Sequence, residues 1–237
     1  MSGDGRHLPY SGLDPIEEFE TGSIYDTLLS AVGKYVRPGG SLLDIGCGRG
    51  ELMQKAAARG YRVHGVDADE ECVRLSSRFG TVLELDAGRI SNESFDERFD
   101  CVVLSHVIEH IENPRDIIRR AASVSRGLML ISVPNPYYSP YILRSIGRLG
   151  VDYVNRLHLY SWDWSHFKTF LELGCGLEIA EFFHDSVALP VPRRARLFLL
   201  KKGWLGPVER GFLRALFPRF CSSITAMVRV PAGGPTS

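Results

Sequence analysis

One run limits this 237-residue chain more than any other: Leu42-Leu43-Asp44-Ile45-Gly46-Cys47-Gly48-Arg49-Gly50-Glu51. A short apolar strand stops, three glycines follow at alternate positions, and a helical pattern starts at Glu51. Glycine lets the backbone turn sharply and approach a ligand with no Cβ in the way. Strands and helices alternate around this loop. Residues 41–45, 61–66, 81–85, 100–104 and 128–133 read as buried strands, and 51–59, 69–78 and 113–124 as helices. Short apolar runs separated by helices of about ten residues mark a parallel sheet covered on both faces. A helix over 16–35 precedes it, with Ile24, Leu28, Leu29 and Val32 on one face and Arg37-Pro38-Gly39-Gly40 as its stop. Beyond Pro134 come a helix at 164–173 and strands at 177–183 and 222–230.

Two ligand classes fit a strand–glycine–helix turn. A dinucleotide wants G-x-G-x-x-G with its pyrophosphate on the helix N-terminus. Here the third glycine comes one residue early, and Glu51 and Asp44 bring negative charge that repels a pyrophosphate. S-adenosylmethionine carries a cationic amino group and a sulfonium, so an acidic loop suits it and penalises the dinucleotide. The absence of Gly-Lys-Ser/Thr excludes a P-loop. Asp67 closes the second strand, 21 residues after Gly46, where an acid can accept both ribose hydroxyls. Asp86 closes the third and is placed to accept from an adenine amino group. Three acids at the carboxyl ends of three successive strands converge on one crevice.

With LLDIGCGRGEL, VHGVDAD, the acid of LELDAG, FDCVVLSHVIEHIENP, LMLISVPNP and FLELGCGLEIAEFF, the sequence resembles the class I S-adenosylmethionine-dependent methyltransferases over about residues 25–185. It is most similar to the ubiquinone O-methyltransferase type and to the methyltransferase-like proteins of methionine biosynthesis. The resemblance implies an α/β, doubly wound Rossmann-like sheet, mostly parallel with an antiparallel last strand and helices on both faces. It implies S-adenosylmethionine as cofactor, lined by Asp44, Gly46, Cys47, Gly48, Asp67, Ala68 and Asp86, with Ala87 and Ser105 beside them.

Ser105-His106-Val107-Ile108-Glu109-His110 follows the fourth strand, next to the expected methyl group. His106 is the candidate general base for a hydroxyl acceptor. Proximity alone can also carry methyl transfer to a good sulfonium leaving group. His106, Glu109 and His110 have i, i+3, i+4 spacing that can face one way, with His158 or His166 to complete a divalent site. Some relatives use a Glu-x-x-Glu-His motif with magnesium here. His106 stands where the first Glu would be, so no metal is expected.

A single domain is expected over 1–237: an N-terminal cap at 1–40, a cofactor-binding half at 41–135, an acceptor lid at 136–167 and a C-terminal half at 168–237. Tyr137, Tyr138, Tyr141, Tyr153, Tyr160, Trp162, Trp164 and Phe167 crowd the lid segment. Residues 191–220 interleave basic and apolar side chains with one acid, Glu209. Such a segment suits peripheral membrane contact or an anionic acceptor, or forms a solvated face neutralised by Asp14, Glu17, Glu18 and Glu20.

Lys+Arg and Asp+Glu both number 28, so there is no overall electrostatic drive toward nucleic acid, and none is expected as partner. No apolar run approaches the ~20 residues of a membrane span. The opening MSGDGRHLPYSG lacks the apolar stretch of a signal peptide, and five scattered cysteines give no disulfide or zinc framework, so the expected address is cytoplasmic. The expected function is methyl transfer from S-adenosylmethionine to a small organic acceptor, at a hydroxyl oxygen. The alternatives are a non-catalytic accessory protein of the same fold and a lipid or quinone methyltransferase at the membrane surface.

Overall fold

A computed structural model describes residues 15–140, 142 and 157–231. Residues 1–14 and much of the lid, Tyr141 and Tyr153 included, lie outside the described residues. Helix α1 (Pro15–Tyr35) leads into β1 (Ser41–Ile45), α2 (Glu51–Ala58), β2 (Arg62–Asp67), α3 (Glu70–Ser76), β3 (Thr81–Glu84), β4 (Cys101–Ser105), α4 (Pro114–Ser123) and β5 (Leu128–Pro134). Then come α5 (Trp164–Thr169), β6 (Glu178–Phe183), α6 (Arg193–Lys201), a short α7 (Arg214–Leu216) and β7 (Ser223–Arg229).

The sheet order is β3-β2-β1-β4-β5-β7-β6. Strands β1 to β5 pair in parallel, and β7 runs antiparallel between β5 and β6. Every residue of β1 is buried, as strand alternation requires when both faces are covered. Leu42, Val103 and Leu130 pack with Leu28, Val32 and Met53 on the side of α1 and α2. Leu43, Ile45, Leu104 and Ile131 pack with Ile117, Ile118 and Phe167 on the side of α4 and α5. Asn113 caps α4 by accepting from the Asp116 amide, with Pro114 at the first helical position.

Most element ends fall within one or two residues of the sequence reading, and two differences bear on the site. The helix expected over 164–173 changes at Phe170 into a π-helical turn that runs to Gly174. The third strand stops at Glu84, so Asp86 does not close it. Asp86 instead starts a 3₁₀ turn and accepts from the Gly88 amide at 2.7 Å, because an Asp-Ala-Gly sequence satisfies its own backbone locally.

Candidate active site

The register places Ile45 against Val66 on one side and Leu104 on the other, so the carboxyl ends of β1, β2 and β4 open on one edge. Strand order reverses between β1 and β4, which is where open α/β sheets hold ligands. The Gly46 and Cys47 amides both donate to the Val66 carbonyl, at 2.8 and 3.0 Å, and pin the loop to β2. Gly46 has φ 73°, and a Cβ there would come within 2.6 Å of Val107. Gly50, φ 86°, would meet Ser76 at 2.8 Å and Phe79 at 2.9 Å. The early third glycine is therefore needed for the close approach of α2 to α3. A Cβ on Gly48 would meet nothing within 4 Å, leaving that part of the loop open.

Asp44 is buried under this loop. Burial, then the charges of Asp67 and Glu51, pushes its pKa up to about 8. Asp67 accepts from the Gly48 amide at 2.8 Å and from the Asp69 amide at 3.0 Å, so it fixes the glycine loop from the tip of the neighbouring strand. Each of its oxygens keeps a second lone pair. Cys47 is buried, and desolvation lifts its thiol to about 12, which makes it a packing group. Ala68 and Asp86 are exposed along the same edge, and Ala87 and Ser105 are half-buried there. A buried acid held neutral by its acidic neighbours, below an open glycine turn, fits a cationic ligand and opposes a phosphate.

His106 follows β4 with φ 56°, the one positive value for a non-glycine among the described residues. A left-handed backbone on such a residue costs on the order of 1–3 kcal/mol and collects at functional sites. Its amide donates to the Ser132 carbonyl at 2.9 Å, and its Nε2 lies 2.9 Å from Ser223 Oγ. Burial, followed by the His158 and His110 imidazoles, lowers its pKa to about 4. Glu109 has no exposed side-chain surface, and neither carboxyl oxygen has a hydrogen-bond partner among the described residues. Desolvation lifts it to about 7. It stands 3.8 Å from His106 Nδ1 and 4.0 Å from His110 Nε2.

The spacing of His106, Glu109 and His110 thus brings them together, through a 3₁₀ turn. His158, of the two histidines considered, joins them: ligand atoms of Glu109, His110 and His158 lie within 4.8 Å of one another. His166 is elsewhere, exposed and bonded to Asp163. Two imidazoles and one carboxylate form a set that suits a borderline cation such as zinc better than magnesium.

Sequence reasoning missed Ser223, which antiparallel β7 brings to His106, and a buried ionic knot. Arg196 donates to both oxygens of Glu209, at 2.8 and 2.7 Å, and lies 2.6 Å from Glu20 of α1. Tyr138 donates to the same Glu20 oxygen at 2.6 Å. The excess of arginine over acid in 191–220 was the only sequence signal, and it did not say which arginine turns inward.

A methyltransferase-domain family profile matches residues 18–173. The chain is 32% identical over 205 residues to the ubiquinone biosynthesis O-methyltransferase of Azorhizobium caulinodans, covering 78% of this chain and 76% of that protein. It is 27% identical over 209 residues to that of Xanthomonas campestris pv. campestris, covering 82% and 81%. Among solved structures it resembles the magnesium protoporphyrin IX methyltransferase of Synechocystis PCC 6803 with bound S-adenosylhomocysteine. The TM-score is 0.61 at 19% identity, over 92% of this chain and 88% of that one. Profile, relatives and glycine-loop geometry agree: the chain belongs to the class I S-adenosylmethionine-dependent methyltransferases, and S-adenosylmethionine is its cofactor.

Proposed function

We propose that the enzyme methylates a hydroxyl oxygen of a small organic acceptor, with His106 as general base. When bound, S-adenosylmethionine supplies an activated methyl group on a sulfonium. Asp44 would face its cationic part, Gly46, Cys47 and Gly48 would form the floor, and Asp67 would take the ribose hydroxyls. Ala68, Asp86, Ala87 and Ser105 would flank the adenosine. His106, neutral at physiological pH, would accept the hydroxyl proton of the acceptor. The observation that carries this is the strained His106 at the end of β4, with one ring nitrogen hydrogen-bonded to Ser223 and the other not. The named O-methyltransferase activity of the relatives supports an oxygen acceptor. Cofactor turnover with a panel of phenols, catechols and amines tests it. Methylation confined to amines would overturn the oxygen assignment.

A second feature favours work at a membrane surface. Phe198, Trp204, Phe212, Leu216, Phe217 and Phe220 are exposed, and Glu209, the one acid of 191–220, is buried. Glu20 and Asp26 engage Arg196 and Arg210, leaving Arg194, Lys201, Lys202, Arg214 and Arg219 without an ion-pair partner among the described residues. Aromatic and basic side chains on one segment suit an anionic bilayer. No helix among the described residues is long and apolar enough to cross a membrane. Sedimentation with phosphatidylglycerol vesicles, absent with phosphatidylcholine, is the expected result. A cytoplasmic address accompanies this reading, in keeping with five free, buried cysteines, and the acceptor is a small molecule with no nucleic-acid partner.

A further inference from the structure

The Glu109 side chain has no exposed surface, yet neither of its carboxyl oxygens has a hydrogen-bond partner among the described residues. Buried polar atoms in folded proteins are nearly always satisfied, by protein, by water or by an ion. What faces this carboxyl is imidazole. His110 Nε2 lies 4.0 Å from Oε1, and ligand atoms of Glu109, His110 and His158 lie within 4.8 Å of one another. The His110 and His158 rings meet edge to face, with centroids 4.7 Å apart.

The proton of His110 is fixed by its other contact. Nδ1 lies 3.1 Å from the Leu157 carbonyl, and a carbonyl oxygen only accepts, so Nδ1 carries the hydrogen. In the neutral ring the lone pair then sits on Nε2, the nitrogen turned toward Glu109. Histidines that bind a metal through one nitrogen commonly donate from the other to a carbonyl in this way. Glu109 Oε1 and His110 Nε2 are too far apart for a hydrogen bond and are spaced for a shared cation. Ligand atoms on one tetrahedral zinc lie roughly 3.3 Å apart, so small rotations of the imidazoles close the group. The backbone around it is already held. The Leu159 and Tyr160 amides donate to the Glu109 carbonyl at 2.7 and 3.3 Å, and the Tyr160 hydroxyl donates to the Glu112 carbonyl at 2.8 Å.

We propose that Glu109, His110 and His158 bind one zinc ion, which clamps the chain at 157–160 onto the turn after β4. The residues do not fit the magnesium of the Glu-x-x-Glu-His motif. Magnesium asks for oxygen ligands in near-octahedral array, and with His106 at the first position Glu109 is the one carboxylate of the group. Two imidazoles and a carboxylate, with water in the fourth place, are a zinc set. The ion's task is to hold together two stretches of chain that the His110–Leu157 bond joins across 47 residues of sequence. The general-base reading of His106 neither needs this ion nor supports it.

Equilibrium dialysis of the full chain against zinc, with magnesium in large excess, reads the site without turnover. One zinc per chain is expected, and magnesium should not displace it. His158→Ala and Glu109→Gln should each weaken zinc binding about a hundredfold or more, with S-adenosylhomocysteine affinity within about twofold of the parent. His158 is only half-buried, so its variant tests the site even where Glu109→Gln fails to fold. Zinc at about a hundred times its Kd should raise the Tm of the parent by about 5–10 °C and leave that of His158→Ala unchanged. A parent that takes up no zinc, uptake that both variants retain, or displacement by magnesium overturns the proposal. Zinc uptake with no rise in Tm removes the clamp. No arm measures methyl transfer, so each result is independent of the role of His106.

Discussion

The Asp44 carboxyl lies buried beside that of Asp67, and the charge of the second adds to burial in holding the first protonated. The folded pKa of Asp44, about 8, lies above its ordinary value of 3.8. Its neutral form is therefore the native one, and the unliganded protein loses stability as pH rises from about 4 through about 8. A cationic ligand favours the charged form and reverses that penalty. Binding of S-adenosylmethionine near neutrality should release about one proton, and affinity should rise with pH and level off above about 8. Calorimetry in buffers of different ionisation heat measures both. A zero proton count with affinity flat across that range would remove Asp44 from the cofactor site.

Asp67 links two tasks, since the carboxylate that would meet the ribose also holds the Gly48 amide. Asp67→Ala is expected to weaken S-adenosylhomocysteine binding by roughly 2–4 kcal/mol, and Asp67→Asn by less. A loss below about 0.5 kcal/mol in a folded variant would reduce Asp67 to the cap of the following turn.

For His106 the sign of the pH effect follows from its lowered pKa. A base acts when unprotonated, so the rate should hold steady from neutrality downward and fall only as pH nears about 4. His106→Ala should cut the single-turnover rate by about 10²–10⁴ with cofactor affinity nearly unchanged. A rate within about threefold of the parent throughout the accessible pH range would rule out the base role.

Glu109, lifted to about 7, is partly protonated at neutral pH and so has no need of a cation to remain buried. Added zinc should displace that proton at Glu109, His110 and His158. Transfer from a sulfonium needs no Lewis acid, so a chelator should leave turnover within about twofold. Activity abolished by the chelator and restored by zinc would make the cluster part of the machinery.

The alternation of strands and helices was legible because each buried run of β1, β4 and β5 is short, apolar and followed by polar punctuation. The acidic glycine loop was legible because its constraints are local: φ at Gly46 and Gly50, and Asp67 one strand over. The third strand ends one residue earlier than the sequence reading because Asp86 satisfies the Gly88 amide in a local turn. Ser223 could not be found this way. It lies 117 residues from His106, and only the antiparallel register of β7 against β5 joins them. The same holds for Arg196, one of several arginines in a basic stretch, which a partner on α1 and another at Glu209 draw inward.

That arginine has a consequence for anyone who would re-engineer the enzyme. Glu20, Tyr138 and Glu209 come from three widely separated stretches of chain: one guanidinium holds both glutamates, and Tyr138 joins through Glu20. A loop transplanted from a relative between β6 and β7 would lose its anchor unless α1 and the segment after β5 travelled with it. The three stretches should therefore be exchanged as a block if the anchor is to be kept.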